Sequence, residues 1–469
     1  MTLHGAHIAR HPVHTIASLL ACLALAAPLL AQTPVPVLVG EPVDLDTGIT
    51  TNLGGISAAF NTTAREYRVF WFDSRIVGEN DVYAQRVGPF GARLGDNVPI
   101  AVGPVSRTDT ACAYNARDNN YLATWRYQGG PPGSQGFNHT YGGLVSAAGG
   151  LITAEADLCN GGLEPSIAAS GAEFLLEARN FAGGGAAGIR GQRISSAGQP
   201  IGTGITIATE GAPAPAGQIA WSPVAQRYLA TWRDQVASDL KGRILNPDGS
   251  YASGPFTIST IFPGGSLAAG VAPTADGNFL AVFGLFSGGP AMGQFVSSAG
   301  APLGAAFPII NSTSRLDPFI AYDPLHDVFL VACSDMYTGD LAVVLLRADG
   351  AVLGDPLPLT AATAVGGPSL TANPVHGGFL VAWRDSRNYP ERNDVLAQIV
   401  GVGTRMRGDL NCDGAVNFSD INPFVLRLSD PQGYQTAYPY CPPANGDCNA
   451  DGRVDFDDIN PFVALLSGP

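Results

Sequence analysis

Lysine is almost missing from this 469-residue chain: Lys241 is the single one among 25 basic residues, set against 39 acidic ones, for a formal net charge of −14. Without a basic surface there is no electrostatic footprint for a phosphate backbone, and nucleic acid is excluded as a partner class. Charge of either sign is scarce, at 14% of residues, while 46% are hydrophobic, which supplies a core and excludes disorder of the whole chain. A helical bundle or coiled coil is excluded as well, because such folds are poor in glycine and proline whereas this chain carries 59 Gly and 36 Pro. After the first 31 residues no apolar run is long enough for a transmembrane segment in the mature chain. What remains is a turn-rich, mainly β protein.

Arg10 and several histidines precede an apolar run from Thr15 to Ala31, and the small Ala31 before Gln32 offers a cleavage point. Residues 1–31 are therefore expected to be a signal peptide, which places the mature protein outside the cytoplasm, secreted or at the cell surface. Leu19-Leu-Ala-Cys22 loosely resembles a lipidation box, but the apolar run continues well past Cys22. Six cysteines then remain in a compartment that permits disulfides. Cys112 and Cys159 share one repeat and could pair, while Cys333 replaces an aromatic core residue and is expected as a buried thiol. Cys412, Cys441 and Cys448 cannot all pair with one another, and their spacing does not decide which is left over.

One phrase recurs seven times: Tyr67-Arg-Val-Phe-Trp71, Tyr121-Leu-Ala-Thr-Trp125, Phe174-Leu-Leu-Glu-Ala178, Tyr228-Leu-Ala-Thr-Trp232, Phe279-Leu-Ala-Val-Phe283, Phe329-Leu-Val-Ala-Cys333 and Phe379-Leu-Val-Ala-Trp383. The copies lie 50 to 54 residues apart. Each is an almost continuously apolar run bounded by turn residues, which reads as a strand buried on both faces. Around it the same grammar repeats: a small-residue strand upstream (Ile320-Ala-Tyr-Asp-Pro324), a third strand downstream (Asp394-Val-Leu-Ala-Gln398), then a glycine turn and a fourth strand (Val352-Leu-Gly-Asp-Pro-Leu-Pro-Leu359). Four strands repeated radially predict a seven-bladed β-propeller over residues 36–402; the alternative is an array of β-sandwiches. The seventh repeat lacks its fourth strand, and Val37 to Leu45 at the mature N-terminus resembles it, so the chain start is expected to close the ring and remove an open edge.

Signs of catalysis are few. There is no G-x-S-x-G, no H-E-x-x-H and no phosphate-binding glycine loop, and His139, His326 and His376 have no metal-ligand spacing. The recurring Trp71-Phe-Asp-Ser-Arg75, Trp383-Arg-Asp-Ser-Arg387 and Trp232-Arg-Asp234 read as turn-capping Asp with a paired Arg, because recurrence in several blades points to architecture. Tyr127, Phe137 and Tyr141, in a long glycine-rich insertion of the second repeat, are either exposed sugar-stacking rings or packing over a loop.

The acidity is concentrated at one end. Residues 408–469 hold nine Asp, no Glu and two Arg, so half of the net charge sits on about one eighth of the chain. Two segments 38 residues apart nearly match there: Gly408-Asp-Leu-Asn-Cys-Asp-Gly-Ala-Val-Asn-Phe-Ser-Asp-Ile-Asn-Pro-Phe-Val425 and Gly446-Asp-Cys-Asn-Ala-Asp-Gly-Arg-Val-Asp-Phe-Asp-Asp-Ile-Asn-Pro-Phe-Val463. Oxygen side chains fall at loop positions one, three, five, nine and twelve with Gly at six, the EF-hand spacing for a hard cation. Two Ca²⁺ ions are expected. Asp409, Asn411, Asp413, Asn417 and Asp420 would hold the first by side chain, with the Ala415 carbonyl; Asp447, Asn449, Asp451, Asp455 and Asp458, with the Arg453 carbonyl, would hold the second. Val416 and Val454 are expected to pair the loops, and short apolar helices to follow over Pro423–Leu428 and Pro461–Leu466.

These duplicated half EF-hands, each with Asp at position twelve and a single following helix, resemble a type I dockerin domain over residues 408–469, with 403–407 as linker. The resemblance implies attachment to a cohesin-like scaffold and, since dockerins often ride on polysaccharide-degrading enzymes, a polysaccharide as further partner. The partner-recognition positions depart from the clostridial pattern, with Phe418-Ser419 and Phe456-Asp457 at positions ten and eleven. The Asp-Ile-Asn-Pro-Phe-Val variant resembles tails of secreted planctomycete-type proteins. Taken together, the residues favour a secreted, non-catalytic propeller that binds an extracellular glycan or protein and carries a calcium-binding docking tail. The alternatives are a glycoside hydrolase or lyase with a propeller catalytic domain, and a structural cell-surface protein.

Overall fold

The computed structural model describes residues 34–466 except 47–51, 77–78, 128–138, 160–161, 181–187, 210–212, 235, 238, 261–268, 286–287, 315, 362–366, 405 and 450. The expected signal peptide, Cys22 and Phe137 lie outside these residues. No described helix is long and apolar enough to cross a membrane.

Seven sheets of four strands each follow one another. Blade 1 runs from an inner strand, Leu53–Asn61, through Glu66–Asp73 and Asp81–Val87 to an outer strand, Arg93–Ala101, each antiparallel to the next. The inner strands of blades 2 to 7 are Arg107–Asn115, Leu163–Ala169, Pro213–Ser222, Ala269–Pro273, Leu316–Asp323 and Ser369–Ala372. All seven copies of the recurring phrase are second strands. Each inner strand packs beside those of the neighbouring blades and the seventh meets the first, so the array closes into a seven-bladed β-propeller.

The closing strand is the one expected. Pro34–Asp44 pairs with Asp394–Thr404 as the outer strand of blade 7. It also carries a device found in other outer strands. Third-strand glutamines clamp the outer strand by donating their side-chain amide to its carbonyls: Gln85 to Leu94 O at 3.0 Å, Gln294 to Leu303 O at 3.1 Å and Gln398 to Val39 O at 3.0 Å. The next residue in each outer strand is a glycine in the left-handed region, φ +70° at Gly95 and +69° at Gly40, which lets the strand bulge toward the clamp where a Cβ would be strained. The chain start is thus blade 7's own fourth strand.

Burial explains the apolar phrases. The residues of a second strand alternate between the two blades flanking it, so every one of them meets a neighbour. Seven clusters of buried apolar side chains result, one at each blade interface. Trp71, Trp125, Trp232 and Trp383 are fully buried, each facing the preceding blade. Cys333 is a buried free thiol, as expected. The possible Cys112–Cys159 pair does not form: the two lie on the inner and outer strands of blade 2, at opposite edges of its sheet, and both are free. Nor are Tyr127 and Tyr141 free sugar platforms; Tyr127 is buried, Tyr141 half-buried, and their ring centroids are 4.0 Å apart.

The tail comprises helices α1 (Ile421–Ser429), α2 (Pro431–Ala437) and α3 (Ile459–Leu466), of which α1 and α3 were expected. It is fastened to the ring. The last blade strand continues to Thr404, and Met406 N–H donates to Asn445 Oδ1 at 3.1 Å, so the expected linker is largely held. Tyr440 lies against Gly401 and Gly403 of that strand, where any Cβ would clash with it, and joins the apolar cluster between blades 7 and 1. The tail's disulfide is Cys412–Cys441, with Cα atoms 5.5 Å apart, which leaves Cys448 as a buried thiol.

Candidate functional site

The two acidic loops fold as near copies. Asp409 Oδ2 accepts the Gly414 N–H at 3.0 Å, and Asp447 Oδ2 accepts the Gly452 N–H at 3.0 Å, closing each loop from position one to position six. Both glycines take a positive φ, +89° and +87°. Position twelve ties the ends together. Asp420 Oδ1 accepts from Leu410 N and Asn411 N at 2.8 and 3.1 Å while its Oδ2 caps Asn417 N at 2.9 Å; Asp458 does the same with Cys448, Asn449 and Asp455 at 2.8, 3.0 and 2.9 Å. Asn417 and Asp455 N-cap the short turns that lead into α1 and α3. Asn411 and Asn449 each donate to the aspartate two residues on, Asp413 and Asp451, at 2.9 and 3.1 Å. Ala415 and Arg453 stand exposed at position seven, their N–H groups bonded to Asp413 and Asp451. Val416 and Val454 form no bridge with each other; each packs instead under the glycine that opens its own loop, Gly408 or Gly446.

Against a cation the loops show two features. Among the described residues no three His, Cys, Asp or Glu side chains stand together as a metal cluster. Yet Asp409 is fully buried with its Oδ1 lacking any hydrogen-bond partner, and burial, aided by the Asp420 and Asp413 charges, raises its carboxyl above the usual range. A buried carboxylate oxygen without a donor, crowded by like charges, is a position a divalent cation would satisfy.

The duplication extends to the surface. Phe418 and Phe456 are 79% and 76% exposed, and Ile421, Val425, Ile459 and Val463 border an apolar groove of about 320 Å³ between α1 and α3. Below it Phe424 and Phe462 stack with centroids 4.2 Å apart.

The ring offers a second location. An axial cavity of about 470 Å³ is lined by inner strands of six blades. Its wall is hydroxyl-rich, and three serines stitch neighbouring blades: Ser369 Oγ accepts from Ala58 N at 2.9 Å, Ser57 Oγ from Cys112 N at 3.0 Å and Ser166 Oγ from Ile219 N at 3.1 Å. Burial pushes the Cys112 thiol up to about 12, which removes it as a nucleophile. Two carboxylates border the cavity, Glu164 of blade 3, paired with Arg179 at 3.3 Å, and Asp317 of blade 6.

The strand-end Asp–Arg motifs are architectural. Asp73 and Asp385 are fully buried, take the N–H of Arg75 and Arg387 at 3.0 Å each, and pair with the same guanidinium groups; Trp71 Nε1 donates to Asp73 at 2.8 Å. Asp234 closes the equivalent turn in blade 4 and holds Lys241 at 2.7 Å. The histidines are dispersed: His139 bonds Asp157 and His326 bonds Asp323, both at 2.7 Å, and His376 lies beside Phe90.

No family model and no curated protein matches this chain. Among solved structures, an oligogalacturonate lyase in complex with manganese superposes at TM-score 0.46 and 8% identity, over 79% of this chain and 98% of that one. A structure from a study of two prolyl endopeptidases gives TM-score 0.42 and 9% identity, over 76% of this chain and 50% of that one. The chain thus spans half the length of the second. The propeller assignment itself stands on the seven sheets and their closure.

Proposed function

We propose that this protein is an extracellular, non-catalytic binding protein: the ring offers its axial mouth to a ligand, and the tail is a calcium-stabilised docking module of dockerin type. The observation that carries this reading is the doubled tail, in which two loops with the same hydrogen-bond closure support one exposed apolar face. Each loop would hold one Ca²⁺, through Asp409, Asn411, Asp413, Asn417 and Asp420 in the first and Asp447, Asn449, Asp451, Asp455 and Asp458 in the second. Bound calcium would neutralise the carboxylates and make folding of the tail depend on the ion. Phe418 and Phe456, at the positions where dockerins meet their partners, make the contact with a cohesin-like protein an apolar one. A binding rather than hydrolytic ring is supported by its two axial carboxylates, which stand on blades 3 and 6 with the first engaged by Arg179.

Hydrogen exchange on the mature chain in calcium and in chelator tests the tail. The N–H groups of Leu410, Asn411, Cys448 and Asn449, which bond the position-twelve carboxylates, are expected to lose protection on chelation while the second strands of the ring keep theirs. Equal protection in both buffers removes calcium from the proposal.

A further inference from the structure

Blades 2 and 4 share a truncated outer edge. In each, the third strand (Thr140–Ser146, Asp239–Leu245) is followed by a turn with an isolated bridge, Leu151 to Val145 and Tyr251 to Leu245. A short outer strand comes next, Ala156–Cys159 in blade 2 and Phe256–Ser259 in blade 4. The registers coincide, with Ala156 opposite Gly142 and Phe256 opposite Gly242. The residue just before each outer strand is therefore equivalent in the two blades. It is Glu155 in blade 2 and Pro255 in blade 4.

Glu155 completes blade 2. Its Oε1 accepts the indole N–H of Trp125 and the Nε–H of Arg107, and its Oε2 accepts from Arg107 Nη2 at 3.1 Å. Blades 1 and 7 satisfy the indole in another way, with Trp71 and Trp383 donating to Asp73 and Asp385 two residues on. Blade 4 has neither acceptor. Pro255 carries no side-chain oxygen, and Asp234 is turned to Lys241 at 2.7 Å and to the Val236 and Ala237 N–H groups. Trp232 is 1% exposed, and its Nε1 is left without a hydrogen-bond partner. An indole nitrogen can only donate, so an acceptor is what the position lacks.

A cation stands beside it. Opposite the third residue of the recurring phrase, blades 1, 3, 5 and 7 have the glutamines that clamp an outer strand, Gln85, Gln192, Gln294 and Gln398, whereas blade 4 has Arg243. Arg243 Nη1 reaches across to Thr206 O of blade 3 at 3.3 Å, and the guanidinium lies 4.2 Å from the centroid of the Tyr251 ring, but Nε has no partner. The Nε–Nη2 edge is the one with which Arg107 holds Glu155 and Arg86 holds Glu66. Trp232, Arg243, Tyr251 and Pro255 line one cavity of about 230 Å³ with Thr206 and Thr209 of blade 3. Among the described residues that line it there is no carboxylate. Two departures from the ring's own pattern thus meet at one place, and each leaves a donor.

We propose that this cavity binds a small organic acid, whose carboxylate takes the place that Glu155 fills in blade 2. The carboxylate accepts the Trp232 indole N–H and the Arg243 fork, while Tyr251 and Pro255 flank the apolar body of the ligand. The cavity lies below the range of about 300–1,000 Å³ usual for drug-sized ligands, which suits an acid of a few carbons. The site sits at the outer edge of blades 3 and 4 and goes beyond the roles proposed for the axial mouth and the tail.

Isobutyrate and isobutyramide have the same shape and differ in charge, which makes them the probe pair. The chain has five tryptophans, and with ¹⁵N-labelled indoles the signal of Trp232 is the one lost in Trp232→Phe. Blade 5 carries Phe283 at this position, so the variant copies a residue the ring accepts. In titrations of the mature chain, isobutyrate is expected to shift the Trp232 signal downfield and leave the others in place. Its affinity should exceed that of isobutyramide at least about tenfold, the margin a charge-assisted hydrogen bond gives. Two further variants copy other blades: Arg243→Gln installs the clamp residue and Pro255→Glu the internal carboxylate of blade 2. Each should lower isobutyrate affinity at least about tenfold, and Pro255→Glu should by itself shift the Trp232 signal as the ligand does. Arg347→Gln, an exposed arginine on blade 6 paired with Asp349, should leave binding unchanged. Thermal midpoints show which variants fold; should one fail, the other and the probe pair decide. An unmoved Trp232 signal, equal binding of isobutyramide, or full affinity in Arg243→Gln overturns the site. Binding of a peptide with a free C-terminal carboxylate more tightly than isobutyrate overturns the small-acid assignment. None of these results bears on the calcium experiment or on the axial ligand.

Discussion

The interface between blades 7 and 1 is built from fourteen buried apolar residues, while the tail has a cluster of six, two of them cysteines. The ring is held by repetition of one apolar strand, so each interface contributes burial on its own and the polar groups mostly finish turns. In the tail the polar groups carry the structure: Asp420 and Asp458 each gather three backbone N–H groups, buried Asn445 bonds Asp409 O at 2.7 Å, and a disulfide joins the first loop to the turn beyond α2. A unit of some sixty residues buries too little apolar surface to be stable without such staples. The contrast predicts that the ring is sensitive to lost volume and the tail to lost cross-links and charge balance.

The largest effect is expected from Trp383→Ala. Trp383 is fully buried between blades 6 and 7, and its truncation should cost about 3–5 kcal/mol in denaturant unfolding, with or without reductant. Next comes the double substitution Cys412→Ser with Cys441→Ser, which frees a loop whose ends are 29 residues apart and should destabilise the tail by about 3 kcal/mol. Hydrogen exchange should confine that loss to residues 408–466. Lost protection in the strand Asp394–Thr404 as well would show that Tyr440 joins ring and tail into one cooperative unit, and the contrast would then need redrawing.

How much of this was legible in the chain follows from which interactions repeat. The seven blades and the N-terminal closing strand could be read because burial on both faces imposes the same apolar phrase every time. The Asp of Trp-x-Asp-x-Arg was legible as a turn cap for the same reason. The contact that Arg384 makes with blade 1 was not, although Trp383-Arg was in plain view. Only the alternation of faces turns Arg384 toward the inner strand of blade 1, where it donates to Leu53 O at 2.9 Å, and three blades lack an arginine at that position. The seat of the tail on the ring leaves no repeating signal either: it depends on Gly401 and Gly403 lacking a side chain where Tyr440 arrives. The disulfide needed geometry to choose among three thiols.

The smallest expected effect tests the ring where it departs from its own rule. At the position filled by Phe70, Thr124, Thr231, Val282, Ala332 and Ala382 in other blades, blade 3 has Glu177, fully buried, with neither carboxylate oxygen hydrogen-bonded. Its face neighbours across the sheet are Ser166 and Gly191, and Leu175 on the same face belongs to the apolar cluster between blades 3 and 4. Burial alone holds this carboxyl well above the usual range, which favours its neutral form in the folded protein. The unfolded chain releases that proton near the ordinary glutamate value, so it binds fewer protons than the folded one above that pH and stability falls as pH rises toward the folded value. Glu177→Leu should therefore stabilise the ring at pH 7 by about 1–3 kcal/mol, the cost of an unsatisfied buried polar group, and by less at pH 4. Glu177→Gln should recover only the pH-dependent part. Urea midpoints at pH 4 and pH 7 check both, and a parent chain whose midpoint relative to Glu177→Leu is the same at the two pH values would mean that Glu177 has found a partner and the ring tolerates polar groups as the tail does.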